Sequence, residues 1–181
     1  APTPSGYLHE GNLLNLREVI RVATEVGADM ALRIDDVDAP RYRREYAHDV
    51  FRVLSAEGVT WTRGPRDVDD FEEHFSQRAR TGYYWEQLQA ALGTLETFAC
   101  ACSRSGQAAA GVRGCAGACR TEGRELLTGA TALRVVVPPR TIVQVGGEAV
   151  DLAATMGDFV IWRKDGLPSY QLVSVVEDRD L

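Results

Sequence analysis

All four cysteines of the chain fall between Cys100 and Cys119. They form a Cys100-x-Cys102 pair and, twelve residues on, a Cys115-x3-Cys119 pair. Two close thiolate pairs of this kind suit a tetrahedral zinc ion, and the intervening Gly106, Gly111, Gly114 and Gly117 permit tight knuckle-like turns. The rival readings are buried free thiols or disulfides, and a reducing cytoplasm disfavours the latter. With four protein ligands and no water partner in view, such a zinc is structural rather than catalytic.

Two further groups carry chemistry. His9, Gly11 and Asn12 stand in a Pro/Gly/Ser-rich opening, APTPSGYLHEGN, just before a helical pattern. Backbone N–H groups and the positive end of a helix favour a phosphate there, and an imidazole adds a donor. The bland reading is a strand-to-helix connection with a structural histidine. Asp35, Asp36 and Asp38 follow a short apolar run, where three carboxylates suit a substrate ammonium or a magnesium ion, or simply form a solvated acidic turn.

The elements that must hold these groups follow from periodicity. Leu13, Leu16, Ile20 and Ala23, widened by Leu14, Val19 and Val26, predict a helix ended by Gly27. Residues 30–34 predict a buried strand, residues 43–57 a helix stopped by Gly58, and residues 59–61 another extended run. A third helix is expected over residues 75–95 despite Gly82. Residues 132–137 and 141–145, joined by Pro138-Pro139, predict a hairpin or meander, and residues 158–162 a strand closed by the turn Lys164-Asp165-Gly166. Residues 170–176 are ambiguous by periodicity.

A chain of 181 residues with 45% hydrophobic content can bury a core of one domain with an insertion, or two small ones. Its net charge of −6 argues against a general nucleic-acid coat, which needs a basic stripe to replace counterions. No apolar run approaches the roughly 18 residues that span a bilayer, and no leader pattern opens the chain. A cytoplasmic protein without a membrane partner is expected. Because the first residue is Ala1 rather than Met, a longer reading frame is also expected.

Three stretches in order resemble a known family. PTPSGYLHEGN is similar to the HIGH-type signature of the glutamyl and glutaminyl class I tRNA synthetases, LRIDDVDAPRY to the LRIEDTD segment, and DFVIWRKDGLPSYQLVSVVED to the Asp-Gly-x-Pro-x-Tyr stretch before a Val-Val-Asp-Asp pair. The cysteine cluster further resembles the zinc element of the glutamyl-Q tRNA(Asp) type, with Cys115 where several relatives carry tyrosine. The resemblance implies an α/β, Rossmann-like class I synthetase catalytic domain with an inserted small zinc-binding region. Residues 1–97 would be the first half of that domain, 98–150 the zinc-containing insertion and 151–181 the start of the second half.

The resemblance also implies roles. His9 and Asn12 match the catalytic HIGH-type positions, and His9, Gly11 and Asn12 would bind ATP. Ala1, Thr3, Asp35 and Tyr170 match the glutamate site. Cys100, Cys102, Cys115 and Cys119 would hold structural Zn2+, with ATP and Mg2+ entering as substrate. The implied reaction is ATP-dependent activation of glutamate and its transfer to queuosine of tRNA(Asp). A glutamyl-tRNA synthetase acting on tRNA(Glu), or a non-catalytic paralogue, is the alternative. Departures exist: Asp35 replaces the family's usual glutamate, and Glu10 occupies an apolar position. The lysine-containing KMSKS-type loop and two arginines that the family uses fall outside residues 1–181, so this stretch alone is not expected to be a competent synthetase.

Overall fold

In the computed structural model, which describes residues 1–103, 115 and 117–180, the first helical pattern becomes α1, Glu10–Val26. Gly27 ends it in the left-handed conformation at φ 64°, where a glycine meets no Cβ penalty. The second pattern becomes α2, Arg44–Ala56, whose Ala47, Val50, Val53 and Leu54 are buried. Backbone contacts divide the chain into two units, residues 1–80 with 179–181, and residues 81–178.

In the first unit the expected strand over residues 30–34 is an extended segment rather than part of a full ladder. It forms one parallel bridge, Ala31 with Arg63, supported by hydrogen bonds from Leu32 N–H to Arg63 O at 2.8 Å and from Thr62 N–H to Met30 O at 2.9 Å. Gly64, at φ 111°, makes this approach possible, since a Cβ there would lie 2.1 Å from Leu32 O. Leu32, Ile34, Ala47, Val50, Leu54, Val68 and Phe71 form the core, with Leu8, Tyr42 and Trp61 packed against it.

The helix expected over residues 75–95 is shorter. A π-helical turn, Phe71–Phe75, and a 3-10 turn, Gln77–Arg80, precede α3, which runs Thr81–Leu92. The break falls at Ser76 (ψ 121°), where the Ser76 hydroxyl and the Gln77 N–H donate to Asp36 at 2.7 Å each. A carboxylate distant in sequence has outcompeted the helix for these donors.

The second unit is built on an antiparallel sheet of β1 (Thr97–Cys100), β2 (Ala132–Val135) and β5 (Phe159–Trp162), in the order β1-β2-β5. The expected pairing of residues 132–137 with 141–145 does not occur. Instead β3 (Ile142–Val145) pairs with β4 (Glu148–Asp151). Gly146 and Gly147, at φ 58° and 87°, supply the two positive angles of a tight hairpin, whereas Pro138-Pro139 lacks the N–H groups a ladder requires. The ambiguous residues 170–176 are helical within α4, Tyr170–Asp180. On α4 the buried Glu177 accepts the hydroxyl of the fully buried Tyr84 of α3. Trp85 packs edge-on against Trp162 at 4.8 Å. No described helix is long and apolar enough to cross a membrane.

Candidate functional site

His9 is the N-cap of α1. Its Nδ1 accepts the Gly11 N–H at 3.1 Å, while the Asn12 side-chain oxygen accepts the His9 N–H at 3.0 Å, a reciprocal cap that satisfies two otherwise unpaired donors. Because Nδ1 is an acceptor, the neutral ring carries its proton on Nε2, an exposed donor at the positive end of the helix. A Cβ at Gly11 would stand 3.1 Å from the imidazole Cε1, so a side chain there would push the ring aside by a few tenths of an ångström.

The loop before His9 is anchored by Asp49 of α2, which accepts the Leu8 N–H at 2.9 Å and pairs with Arg52 at 2.5 Å. Burial pushes the Asp49 carboxyl up, but the Arg52 guanidinium and the Leu8 N–H outweigh it, so the group titrates below the ordinary aspartate range. Sequence reading missed Asp49; its signal was a carboxylate directly preceding Val50 of the apolar stripe, a position that must find buried donors.

The acidic cluster is not a solvated turn. Asp35 and Asp36 are only 4% and 1% exposed. Asp35 accepts Arg33 Nε at 2.8 Å and Gln77 Nε2 at 2.9 Å, and its N–H donates to Pro2 O at 2.9 Å, which ties the opening turn of Ala1 and Thr3 to the acidic segment. Asp36 accepts Ser76, Gln77 and, at 2.7 Å, Arg78, whose guanidinium carbon also lies 3.8 Å above the Tyr42 ring. Asp38 is less buried and pairs with Arg41 at 4.0 Å. Ala1, Thr3, His9, Gly11, Asn12 and Asp35 thus belong to the first unit, while Tyr170 belongs to the second, 57% exposed at the start of α4. A cavity of about 160 Å³ in the first unit is bordered by Ala1, Leu8, Asn12, Leu16, Leu32 and Arg33, among others.

In the second unit the four cysteines converge, although they come from β1, the residues after it and a helical turn at Ala118–Thr121. Their sulfurs all lie within 4.8 Å of one another, with Cys102 Sγ 3.9 Å from Cys115 Sγ and 3.7 Å from Cys119 Sγ. A tetrahedral site with Zn–S bonds of about 2.3 Å requires sulfur separations of about 3.8 Å. The thiols are free, and their spacing fits a divalent ion. Burial raises the Cys100 thiol, but the Cys102 N–H and the Arg134 guanidinium more than reverse this, so it ionises below the ordinary thiol range. Cys102 is pushed up to about 12, chiefly by its hydrogen bond with Cys119. Of the glycines expected to shape the knuckles, Gly117 adopts φ 98°, and Gly106, Gly111 and Gly114 lie outside the described residues.

Around this cluster sit residues the sequence did not single out. Asp158 is 5% exposed and accepts Arg120 at 2.7 and 2.5 Å and the Val137 N–H at 3.0 Å, linking the turn that carries Cys119 to the sheet. Lys164 Nζ donates to Ala101 O, between two of the cysteines, at 2.6 Å.

No family model matches the chain. A glutamyl-Q tRNA(Asp) synthetase of Chromobacterium violaceum is 35% identical over 190 residues, covering 99% of this chain and 60% of that protein. Proteins of the same name from Shewanella oneidensis and Neisseria meningitidis are each 35% identical, over 98% and 99% of the chain and 57% and 62% of their own lengths. The chain thus spans about 60% of the length of the curated relatives it matches. In fold it is similar to a glutamate tRNA ligase of Elizabethkingia meningosepticum (TM-score 0.74, 19% identity) and a glutamate-tRNA synthetase of Elizabethkingia anophelis (TM-score 0.75, 18% identity). Both matches cover 99% of the chain and about 40% of the other protein. Along nearly all of its length the chain is thus similar in sequence to the glutamyl-Q tRNA(Asp) synthetases, and its fold is that of the glutamate-tRNA ligases.

Proposed function

We propose that this protein condenses glutamate with ATP to give glutamyl-adenylate and pyrophosphate, and then transfers the glutamyl group to queuosine of tRNA(Asp). The observation that carries this reading is the 35% identity to glutamyl-Q tRNA(Asp) synthetases over 99% of the chain. In it, residues 1–97 and 151–181 belong to a Rossmann-like catalytic domain and residues 98–150 form the inserted metal region.

His9 Nε2–H donates to an ATP phosphate at the N-terminus of α1, Gly11 leaves room for the ring, and Asn12 fixes the backbone beneath it; ATP arrives as its Mg2+ complex. This is positioning and charge stabilisation, without covalent catalysis. Asp35, held by Arg33 and Gln77, keeps acceptor capacity for the substrate ammonium beside the turn of Ala1 and Thr3. Tyr170, in the second unit, carries the phenol proposed to hydrogen-bond glutamate. Cys100, Cys102, Cys115 and Cys119 hold Zn2+, which supplies a cross-link between β1 and the Cys119 turn and takes no part in the chemistry. A cytoplasmic setting keeps the thiols reduced.

A second reading, a glutamyl-tRNA synthetase charging tRNA(Glu), is favoured by the glutamate-tRNA ligases it resembles in fold. The test is ATP–pyrophosphate exchange by the full-length protein with glutamate, aspartate or glutamine, with and without tRNA. Exchange with glutamate alone supports the glutamyl-Q reading. Exchange that requires tRNA(Glu) supports the second. No exchange under any condition rejects both and leaves a non-catalytic paralogue, the outcome to which the departures at Asp35 and Glu10 would point.

A further inference from the structure

A divalent ion among four thiolates leaves a net charge of −2 inside a cluster whose Cys100 is 1% exposed. Buried charge of that size is costly unless it meets charge of opposite sign. Among the described residues, four basic side chains act on this region: Arg120, Arg124, Arg134 and Lys164. Two are already neutralised. Arg120 forks onto both carboxylate oxygens of Asp158, and Arg124 pairs with Glu122.

Among the described residues the other two pair with no carboxylate by a hydrogen bond, although the Arg134 guanidinium helps hold the Asp158 carboxyl below its ordinary range. Among the described residues, Arg134 and Lys164 make their hydrogen bonds to main-chain carbonyls, Arg134 Nη1 to Asp158 O at 2.7 Å and Lys164 Nζ to Ala101 O at 2.6 Å. Arg134 is 7% exposed, and its buried Nε makes no hydrogen bond among the described residues. The β1–β2 register sets Arg134 opposite Phe98 and Ala132 opposite Cys100, so Arg134 and Cys100 share one face of the sheet as diagonal neighbours. Lys164 sits on the turn after β5 and grips the carbonyl of the residue between Cys100 and Cys102.

We propose that Arg134 and Lys164 supply counter-charge to the metal centre, two described cations set against the net charge of −2 that a divalent ion leaves among four thiolates. The inference rests on the metal reading given above and goes beyond its ligand set. Neither residue touches the ion; both act by orienting and neutralising the ligands, as outer partners of metal sites commonly do.

The test uses the full-length protein, stripped of metal by a chelator under reducing conditions and titrated with Co2+. The sulfur-to-cobalt absorption is read directly, and Zn2+ affinity by competition. Arg134→Met and Lys164→Met keep the aliphatic stems, Lys164→Arg keeps the charge, and Arg21→Met on exposed α1 is the remote control. The dissociation constants of Arg134→Met and Lys164→Met are expected to rise about 10- to 100-fold, with an unchanged four-sulfur spectrum, while Lys164→Arg and Arg21→Met stay within twofold. Dissociation constants within twofold of wild type for both methionine variants overturn the inference and leave the metal reading standing. Wild-type protein that takes up no cobalt overturns both. Should Arg134→Met not fold, the half-buried Lys164→Met decides alone by the same criterion.

Discussion

Replacing Asp36 by alanine removes the acceptor for three donors at once: the Ser76 hydroxyl, the Gln77 N–H and Arg78 Nε, each at 2.7 Å. Ser76 and Gln77 are 4% and 1% exposed, so water does not replace the lost partner. Each buried donor left unpaired costs about 1–3 kcal/mol. Arg78 recovers part of its loss, because its side chain is 31% exposed. The expected destabilisation is therefore about 3–5 kcal/mol, in line with breaking a buried charge pair from one side. The assay is urea denaturation followed by circular dichroism, comparing wild type, Asp36→Ala, Ser76→Ala and the double variant. Ser76→Ala alone should cost about 1 kcal/mol. The double variant should be less destabilised than the sum of the singles, since the two groups share one bond. A loss below about 1 kcal/mol for Asp36→Ala, or strict additivity, would refute the view that Asp36 breaks the helix at Ser76 by capturing its donors.

Gly64→Ala should destabilise the first unit by about 3 kcal/mol or more, because the new Cβ meets Leu32 O at 2.1 Å and the backbone sits at φ 111°; thermal melts check this. Gly11→Ala should displace the imidazole of His9, 3.1 Å from the added carbon, and raise the KM for ATP in the exchange assay while leaving the KM for glutamate nearly unchanged. Asp49 and Asp158 both have depressed folded-state pKa values, so the stability they confer is complete above the ordinary aspartate value of 3.8 and is lost as pH falls through the folded values. Acid unfolding of Asp158→Asn should accordingly show a flatter limb below that pH than wild type. An NMR titration should place the Asp70 carboxyl at about 2, held down chiefly by its hydrogen bond with Arg66. Cys100→Ser should release the metal and increase amide exchange over the described part of residues 98–145 without changing exchange in the first unit; unchanged metal content by elemental analysis would reject the zinc assignment.

The helices α1 and α2 were legible because their apolar spacing and the stops at Gly27 and Gly58 are local signals. The four cysteines were legible as a unit for a similar reason: their clustering is compositional, and they do converge. What the sequence concealed depends on partners far along the chain. The start of α3 was misplaced because Asp36 acts on Ser76 across 40 residues, and no window-based periodicity registers that competition. The pairing of residues 132–137 was misjudged because β1 and β5, its true neighbours, lie on either side in sequence, whereas the prolines that forbid the local hairpin sit in plain view. Within the candidate site, His9, Gly11 and Asn12 were found from their types and order, but Asp49, Gln77 and Arg78, which fix the loop and the carboxylates, read as ordinary surface polar residues.

The central claim is that glutamate, once activated, is transferred to queuosine. It is tested most directly by incubating the full-length protein with labelled glutamate, ATP and Mg2+, and either tRNA(Asp) carrying queuosine, tRNA(Asp) lacking it, or tRNA(Glu). The products are then digested to nucleosides and read by mass spectrometry. The account predicts a glutamyl adduct on the queuosine nucleoside of tRNA(Asp) and none on the tRNA that lacks it. Label on the 3′-terminal adenosine of tRNA(Glu), or on no nucleoside at all, would contradict it.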